Sequence, residues 1–476
     1  MTPRSLAFCL LGIVTPLHVL IARATSTLPS RPLKPTPVFS PSNTATVAPL
    51  KVLIAGAGIA GPAAAFWLSR IGCEVTIMER SPKLRATGQQ VDFTGQGITI
   101  MRMMGIEDAV RAVQCPEPGM RLLDNQGKSK AFFPVNTSGK GLSPTRELEV
   151  MRGDLVQILY EATKDLKGVK YVFDSQIKNF TQDDNTSSTG KVHVTFTDGR
   201  QDDYDVLIGA DGIGSESRKL MLGPSFPDPR HDLGVHIAYF TVLAREHDTY
   251  DWTMCHIPGG RVLMTRRDRP QNIRVYLATR VGRDALNAAK TLEEQKAALA
   301  EIFKGVKGCQ AERFIQDLVS SPEADDLYCQ AVSQIRLPEG AWSRGRVVLL
   351  GDAAYCPAPI GGGVGTTAAL IGAYVLAGEI SKERKKSKES PGTFGMEGVA
   401  KEYERIMRPF ITSNSYMPSW IVRLWLPETR LGIATIHAFA RIAAASGIDK
   451  LISDSTAQGE LQALEYPDYF GLGTGK

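Results

Sequence analysis

Three glycines and one acid carry the first chemical signal in the chain. An apolar run, Val52 to Ala55, ends in Gly56-Ala57-Gly58-Ile59-Ala60-Gly61, and a helical pattern opens at Pro62 and runs to about Ile71. Gly56 permits a tight turn, Gly58 lets backbone approach a pyrophosphate, and Gly61 lets the helix pack close on the strand. The helix N-terminus adds unpaired N–H groups that attract an anion, and Pro62 suits a first helical position. A second strand, Glu74 to Met78, leads to Glu79, about the distance downstream at which a carboxylate meets ribose hydroxyls. Strand, glycine turn, helix, strand and terminal acid in this order predict a dinucleotide site and leave open which dinucleotide it is.

Three later segments narrow the choice. Asp205-Val206-Leu207-Ile208-Gly209-Ala210-Asp211-Gly212, followed by Ser215 and Arg218, resembles the DG motif of class A FAD-dependent monooxygenases, the para-hydroxybenzoate hydroxylase group. Gly351-Asp352-Ala353-Ala354, after a predicted strand at Arg346 to Leu350 and before Pro357, Pro359 and Gly361 to Gly363, is similar to the GD motif of that family. Glu149-Val150-Met151-Arg152-Gly153-Asp154-Leu155 matches the stretch that carries an arginine near the pyrophosphate. The resemblance covers roughly residues 50 to 410. It departs from the common pattern at Tyr355, where many relatives have histidine, and at Gly363-Val364-Gly365-Thr366-Thr367. The latter resembles a branch of bacterial and fungal enzymes related to tetracycline-degrading monooxygenases. No role that the family gives the histidine is carried onto Tyr355.

The resemblance implies an α/β fold: a Rossmann-like (GR2-type) FAD-binding domain, an interleaved antiparallel-sheet substrate domain, and C-terminal helices. It implies bound FAD, held by Gly56, Gly58, Gly61 and Glu79, with Arg152 near the pyrophosphate and Asp352 on the ribityl chain. Gly88 and Gln89 fall where the family passes beside the flavin ring, and Gly361, Gly362 and Gly363 would bring backbone amides to it. NADPH or NADH would bind transiently as reductant, because no second strand, GxGxxG and helix unit follows. Oxygen would pass from a C4a-hydroperoxyflavin to a hydrophobic organic substrate, hydroxylating or epoxidising a secondary metabolite. A flavin oxidase or dehydrogenase on the same fold, or a flavin-binding protein without turnover, remains the alternative. Trp252 to Pro258 reads WTMCHIP and lacks the WxWxIP stretch of flavin halogenases. No catalytic side chain is assigned.

At 476 residues the chain exceeds one ordinary domain. Its net charge of +5, from 55 basic and 50 acidic residues, is mild and spread out, and the Lys382 to Lys388 run reads as a helix-end cap or a solvated loop, so nucleic acid is not an expected partner. No obligate protein partner is evident. Seven cysteines, without CxxC or paired Cys/His spacing, suggest neither a metal site nor a disulfide framework. Cys356 reads as a small packed thiol.

The first residues, with Arg4, an apolar stretch from Leu6 to Ile21 and Ala22-Arg23-Ala24, look like a secretory signal or a membrane tether. Both readings favour a secretory or membrane-associated location through the N-terminus, while a supply of reduced nicotinamide favours the cytoplasm. The stretch is shorter than the roughly 20 residues that span a bilayer. Three sequons, at Asn136, Asn179 and Asn185, permit glycosylation without deciding the compartment.

The domain plan is therefore a signal or tether over 1–24, a Pro/Ser/Thr-rich linker over 25–49, and an FAD-binding domain over 50–230 and 330–410. A substrate sheet and helix occupy 231–329, and a helical region 411–476. Val169 to Phe173 and Val192 to Phe196 are expected to flank a polar turn. From Leu233 to Arg280 alternating strands with glycine and proline breaks predict an antiparallel sheet whose inward residues, Tyr239 and Met254 among them, are core or pocket wall. His236 and His256 have no partners that suggest catalysis. Thr291 and Glu294 predict a capping box. The C-terminal stretch, with Trp420, Trp425 and the apolar Leu431 to Ile442, predicts a helix that packs, closes over substrate, or docks on a membrane.

Overall fold

A computed structural model describes residues 49–85, 88–93, 95–135, 148–183, 190–358, 364–389, 394–415, 417–446 and 464–473. The strands Val347–Leu349, Val206–Gly209, Lys51–Ala55, Glu74–Met78 and Val169–Val172 lie side by side in that order, all parallel, and Ser343–Arg344 adds a short antiparallel edge. Val52, Leu53 and Ile54 are fully buried, as strands covered on both faces must be. The helix Ala60–Arg70 buries Ala63, Ala64, Ala65 and Trp67 against the sheet and against the long helix Val364–Glu389. Its first turn begins two residues before Pro62, which is tolerated there because first-turn N–H groups have no intrahelical acceptor.

Val364–Glu389 holds the one stretch among the described residues that is long and apolar enough to cross a membrane. Since 94% of that window is buried, between Ala60–Arg70, Gly95–Met104 and Met396–Ser415, it is a core helix. Residues Leu464 to Leu472 return to this helix pair. Phe470 packs on Trp67 at 4.8 Å, and Gln96 bonds both backbone groups of Leu464.

A seven-stranded sheet forms the second layer, in the order Tyr328–Ile335, Arg230–Leu243, Asn272–Thr279, Arg261–Arg269, Trp252–Ile257, Gly119–Leu123, Ser129–Pro134. It is antiparallel except where Trp252–Ile257 runs parallel to Gly119–Leu123. Two of its strands thus come wholly from outside 231–329 and a third, Tyr328–Ile335, mostly so, because the chain enters the sheet before and after the block that alternation marks. Ala238, Phe240, Leu263 and Leu277 face the helices Leu292–Ile302 and Ala311–Ser320, while Tyr239, Met254, Met264 and Tyr276 face the other way. On that second face they meet Ala358 and, from the C-terminal helices, Val422, Leu426 and Ala440. Thr291 and Glu294 make the expected capping box.

Two expectations need correction. Val169–Val172 does not flank the polar turn. It joins the parallel sheet, and a strand that alternation had not marked, Ile177–Gln182, pairs with Val192–Phe196 instead. Only Ile177 of its six residues is buried, so its pattern is too polar to stand out. The cysteines also include a pair: Cys255 and Cys309 form a disulfide with a Cα–Cα distance of 6.5 Å. The contact joins a central strand to the turn before Ala311–Ser320, an encounter that spacing along the chain does not encode.

Candidate functional site

The glycine turn sits where the parallel sheet ends. Gly56, at φ +112°, occupies a backbone region closed to side chains, and a Cβ there would lie 2.5 Å from the Ala210 carbonyl oxygen. At Gly61 a Cβ would come within 2.0 Å of the Gly56 oxygen, so this residue serves helix–strand packing and does not line the cleft beyond the turn. Gly58 is different: an added Cβ would meet only the Arg152 guanidinium, 3.5 Å away. The open face of the turn therefore looks across a gap at a fixed cation. Glu79 ends its strand as expected, its carboxylate accepting from Ala57 N–H at 3.1 Å and from Ser81 N–H at 3.0 Å.

Arg152 is placed by a two-stranded ribbon, Gln90–Asp92 paired with Glu149–Met151. Its N–H donates to the Gln89 carbonyl at 3.0 Å, and a Cβ on Gly88 would strike its side chain at 3.1 Å. Gly88, Gln89 and Arg152 are thus brought together on one wall. Burial depresses the Arg152 pKa, while Asp352 and Glu79 nearby support its charge.

The DG and GD segments meet through a residue that motif reading left without a role. Asp211 accepts from Ser217 N–H at 2.9 Å and from the Ser215 hydroxyl, and Ser215 caps the helix Glu216–Leu222. Arg218, fully buried, donates to the Ala353 carbonyl at 2.9 Å and to the Ile213 carbonyl at 2.6 Å. It ties the two motifs together. Asp352 starts a short helix and reaches solvent through the cleft, yet protein crowds it on the remaining sides. Desolvation raises its pKa, and Arg152 pulls the other way.

Cys356 also lines the cleft, but burial and the neighbouring Asp352 push its thiol well up, in keeping with a packed, unreactive sulfur. Tyr355 turns away into the core, its hydroxyl 3.0 Å from that of Tyr403 and its ring tilted 46° against Trp342 at 4.8 Å. Gly361, Gly362, Gly363 and Pro359 lie outside the described residues, as do the N-terminal segment and the Asn136 and Asn185 sequons.

Gly56, Gly58, Glu79, Gly88, Gln89, Arg152, Asp211, Asp352 and Cys356 open onto one cleft of about 460 Å³, whereas Gly61, Ser215, Arg218 and Tyr355 do not line it. Its lining also takes in the edge strand of the sheet layer, through Tyr328, Gln330, Ala331 and Ser333, together with Arg85 and Ser175. Sequence reasoning missed this strand, since nothing in its residue types distinguishes a cleft edge from an ordinary one. Tyr239 and Met254 prove to be buried residues of the same sheet, Tyr239 on the neighbouring strand opposite Tyr328 and edge-on to Tyr276 at 5.0 Å. His236 bonds Asn287, and His256 bonds the Trp425 carbonyl; burial, then His437, pushes the His256 pKa down to about 4.

A buried charge cluster adjoins the cleft wall. Arg266 points to the same side of its strand as Val262 and Met264, and an arginine in that alternation is the signal that sequence reading passed over. Its guanidinium bonds Glu149 and, at 2.8 Å, Gln90, lies 3.3 Å from Glu117, and sits 4.1 Å from the Trp252 ring centroid. Burial opposes its charge, yet Glu117, Tyr276 and Asp92 hold its pKa above the ordinary value. Burial pushes Glu117 up to about 7, against the pull of Arg266 and with help from Asp92 and Asp251. The cluster bolts the ribbon that carries Gln89 and Arg152 to the sheet layer.

The residues fit FAD by the chemistry of the donor set. An anion cradle of turn amides faces a guanidinium, a carboxylate ends the second strand, and a second carboxylate sits at the GD turn. Among the described residues no cluster of His, Cys, Asp and Glu could hold a metal ion.

Comparison with known proteins gives a consistent family. Residues 49–389 match the model described as FAD binding domain. A flavin-dependent monooxygenase of Phoma sp, eupH, is 67% identical over 425 residues, 89% of this chain and 99% of the relative. The FAD-dependent monooxygenase asL4 of Sarocladium schorii is 35% identical over 436 residues, 88% of this chain and 98% of its own length. Among solved structures, the tetracycline destructase Tet(55) superposes with a TM-score of 0.68 at 26% identity, covering 88% of this chain and 99% of that one.

Proposed function

The chain belongs to the FAD binding domain family of FAD-dependent monooxygenases, and from that premise we propose that it uses NADPH or NADH and O₂ to insert one oxygen atom into a hydrophobic, electron-rich organic substrate, a secondary metabolite of aromatic or polycyclic type. One atom of O₂ enters the substrate as hydroxyl or epoxide. The other leaves as water, with two electrons from the nicotinamide and one proton from solvent. When bound, FAD supplies the electron transfer and the oxygen activation.

This chain's residues supply the rest. Turn amides at Gly58 to Ala60 and the Arg152 guanidinium would offset the pyrophosphate charge from two sides, Glu79 would accept from the ribose hydroxyls, and Asp352 would hold the ribityl hydroxyls. The sheet layer excludes water from the reacting region, which keeps an activated oxygen from being lost as peroxide. The observation that carries the reading is the convergence of Gly58, Glu79, Arg152 and Asp352 on one cleft roofed by a sheet edge. The substrate class is supported by the sheet face behind that edge, where Met254, Met264, Tyr239 and Tyr276 meet the cleft residue Ala358. The tetracycline destructase likeness supports a polycyclic substrate.

The test is turnover of the purified, FAD-loaded protein under ¹⁸O₂ with NADPH or NADH and a panel of aromatic, polyketide and terpenoid compounds. Substrate-stimulated nicotinamide oxidation with one ¹⁸O in the product is expected. Stoichiometric peroxide with unlabelled product would make the protein an oxidase. Bound FAD with no stimulated oxidation across the panel would remove the reading.

A further inference from the structure

We propose that the outward face of the C-terminal helices Ser419–Trp425 and Arg430–Ser446 is a docking surface for anionic lipid membrane. Its basis is independent of the chemistry proposed above. Eight large hydrophobic residues are exposed among the described residues, and four of them, Leu424, Leu431, Phe439 and Ile442, fall within this one pair of helices. Their exposures are 49%, 77%, 56% and 60%, values far from those of a packed helix.

On Arg430–Ser446 the inner line is satisfied: His437 and Ala440 are buried, and the helix packs on the sheet strand Ser129–Pro134. The outer line, Leu431, Ala434, Ala438, Ile442 and Ala445, repeats at three- and four-residue steps and is exposed throughout. A helix that is apolar on both its inner and outer lines needs a second apolar neighbour.

Charge selects the neighbour. Arg430 and Arg441 flank the apolar line on its own helix and Arg423 is exposed on the preceding one; none has a carboxylate partner among the described residues, and no Asp or Glu occurs from Thr429 to Ile448. A second copy seated on this face about a two-fold axis would set one cationic patch against another with no carboxylate between Thr429 and Ile448 to pair with either. An acidic bilayer surface accepts both features, apolar side chains into the acyl boundary and guanidinium groups among the headgroups. One such attachment is reversible, and stable residence takes two. The apolar run Leu6 to Ile21 is a second element of suitable composition in the same chain. The inner side of the docked helices covers the apolar sheet face, so a lipid-dissolved substrate would arrive on the side where, on the reading proposed above, it is bound.

The experiment is co-sedimentation of the full-length, FAD-loaded chain with vesicles of phosphatidylcholine containing about a third phosphatidylserine, and with pure phosphatidylcholine. Wild type is expected to partition onto the acidic vesicles and to come off in high salt. The triple variant Leu431→Ser, Phe439→Ser, Ile442→Ser is expected to lose at least tenfold in partitioning while keeping FAD. The variant Arg423→Gln, Arg430→Gln, Arg441→Gln is expected to lose about fivefold per arginine on acidic vesicles only. Partitioning unchanged in both variants would show that another segment holds the membrane and would overturn the proposal. So would a wild-type dimer in light scattering that the serine variant abolishes with no partitioning onto vesicles.

Discussion

Replacing Glu117 with glutamine should flatten the pH dependence of stability. The Glu117 side chain is 4% exposed and its folded pKa is pushed from an ordinary 4.5 up to about 7, chiefly by burial. Between those values the folded chain holds a proton that the unfolded chain has released, so stability falls as pH rises from about 4.5 to about 7 and is level on either side. A shift of that size corresponds to about 3 kcal/mol. The amide cannot ionise and the term vanishes. In urea unfolding of the FAD-loaded protein at fixed FAD, the variant should therefore gain about 2.5 kcal/mol on wild type between pH 5 and pH 8. Titrating groups remote from Glu117 act equally on both proteins, and any fixed cost of burying an unpaired amide is the same at the two pH values. The difference of differences isolates Glu117. Arg266→Met should move the other way: it strands Glu149 and Glu117, costing about 3–5 kcal/mol at pH 8 and less at pH 5, where Glu117 can take a proton. An offset between wild type and Glu117→Gln that is the same at both pH values would refute the reasoning.

Other outcomes follow from the cleft and the core. Gly61→Ala places a Cβ 2.0 Å from the Gly56 oxygen, so the turn must open, and FAD should bind at least tenfold more weakly by fluorescence titration. Arg152→Met removes the guanidinium facing Gly58 and should weaken FAD binding about ten- to hundredfold, the worth of a charge-assisted contact. Cys255→Ser opens a loop between residues 54 apart and should cost up to about 4 kcal/mol in unfolding measurements, a loss that reductant should reproduce in wild type. Tyr355→Phe should lose the hydroxyl's contacts with Tyr403 and, at 3.4 Å, with the Ala368 carbonyl, about 1–2 kcal/mol, and leave the flavin absorbance spectrum unchanged.

Local chemistry was legible because it is written in consecutive residues. Gly56 to Gly61 with Glu79 demands a strand, a turn and a helix whatever the rest of the chain does, and Thr291 with Glu294 demands a helix start. The hydrophobic pattern of Leu233 to Arg280 likewise forces a sheet with two different faces. The family motifs extended this to Arg152 and Asp352, separated by 200 positions, without any contact being visible.

Contacts between distant segments were not legible. That Arg218 would join the DG and GD turns, that Tyr328 to Ser333 would wall the cleft, and that Cys255 would meet Cys309 all depend on which strands neighbour one another. Ile177–Gln182 was missed because its partners make it a strand, while its own side chains are mostly solvated. Residue order alone thus determined a dinucleotide turn, a second sheet layer and a redox family, since backbone sterics and side-chain periodicity act over a few residues. The tertiary structure decided which carboxylates face the cleft, which arginine is buried among acids and which helix face remains bare, because burial and pairing are properties of neighbours that the chain brings together only by folding.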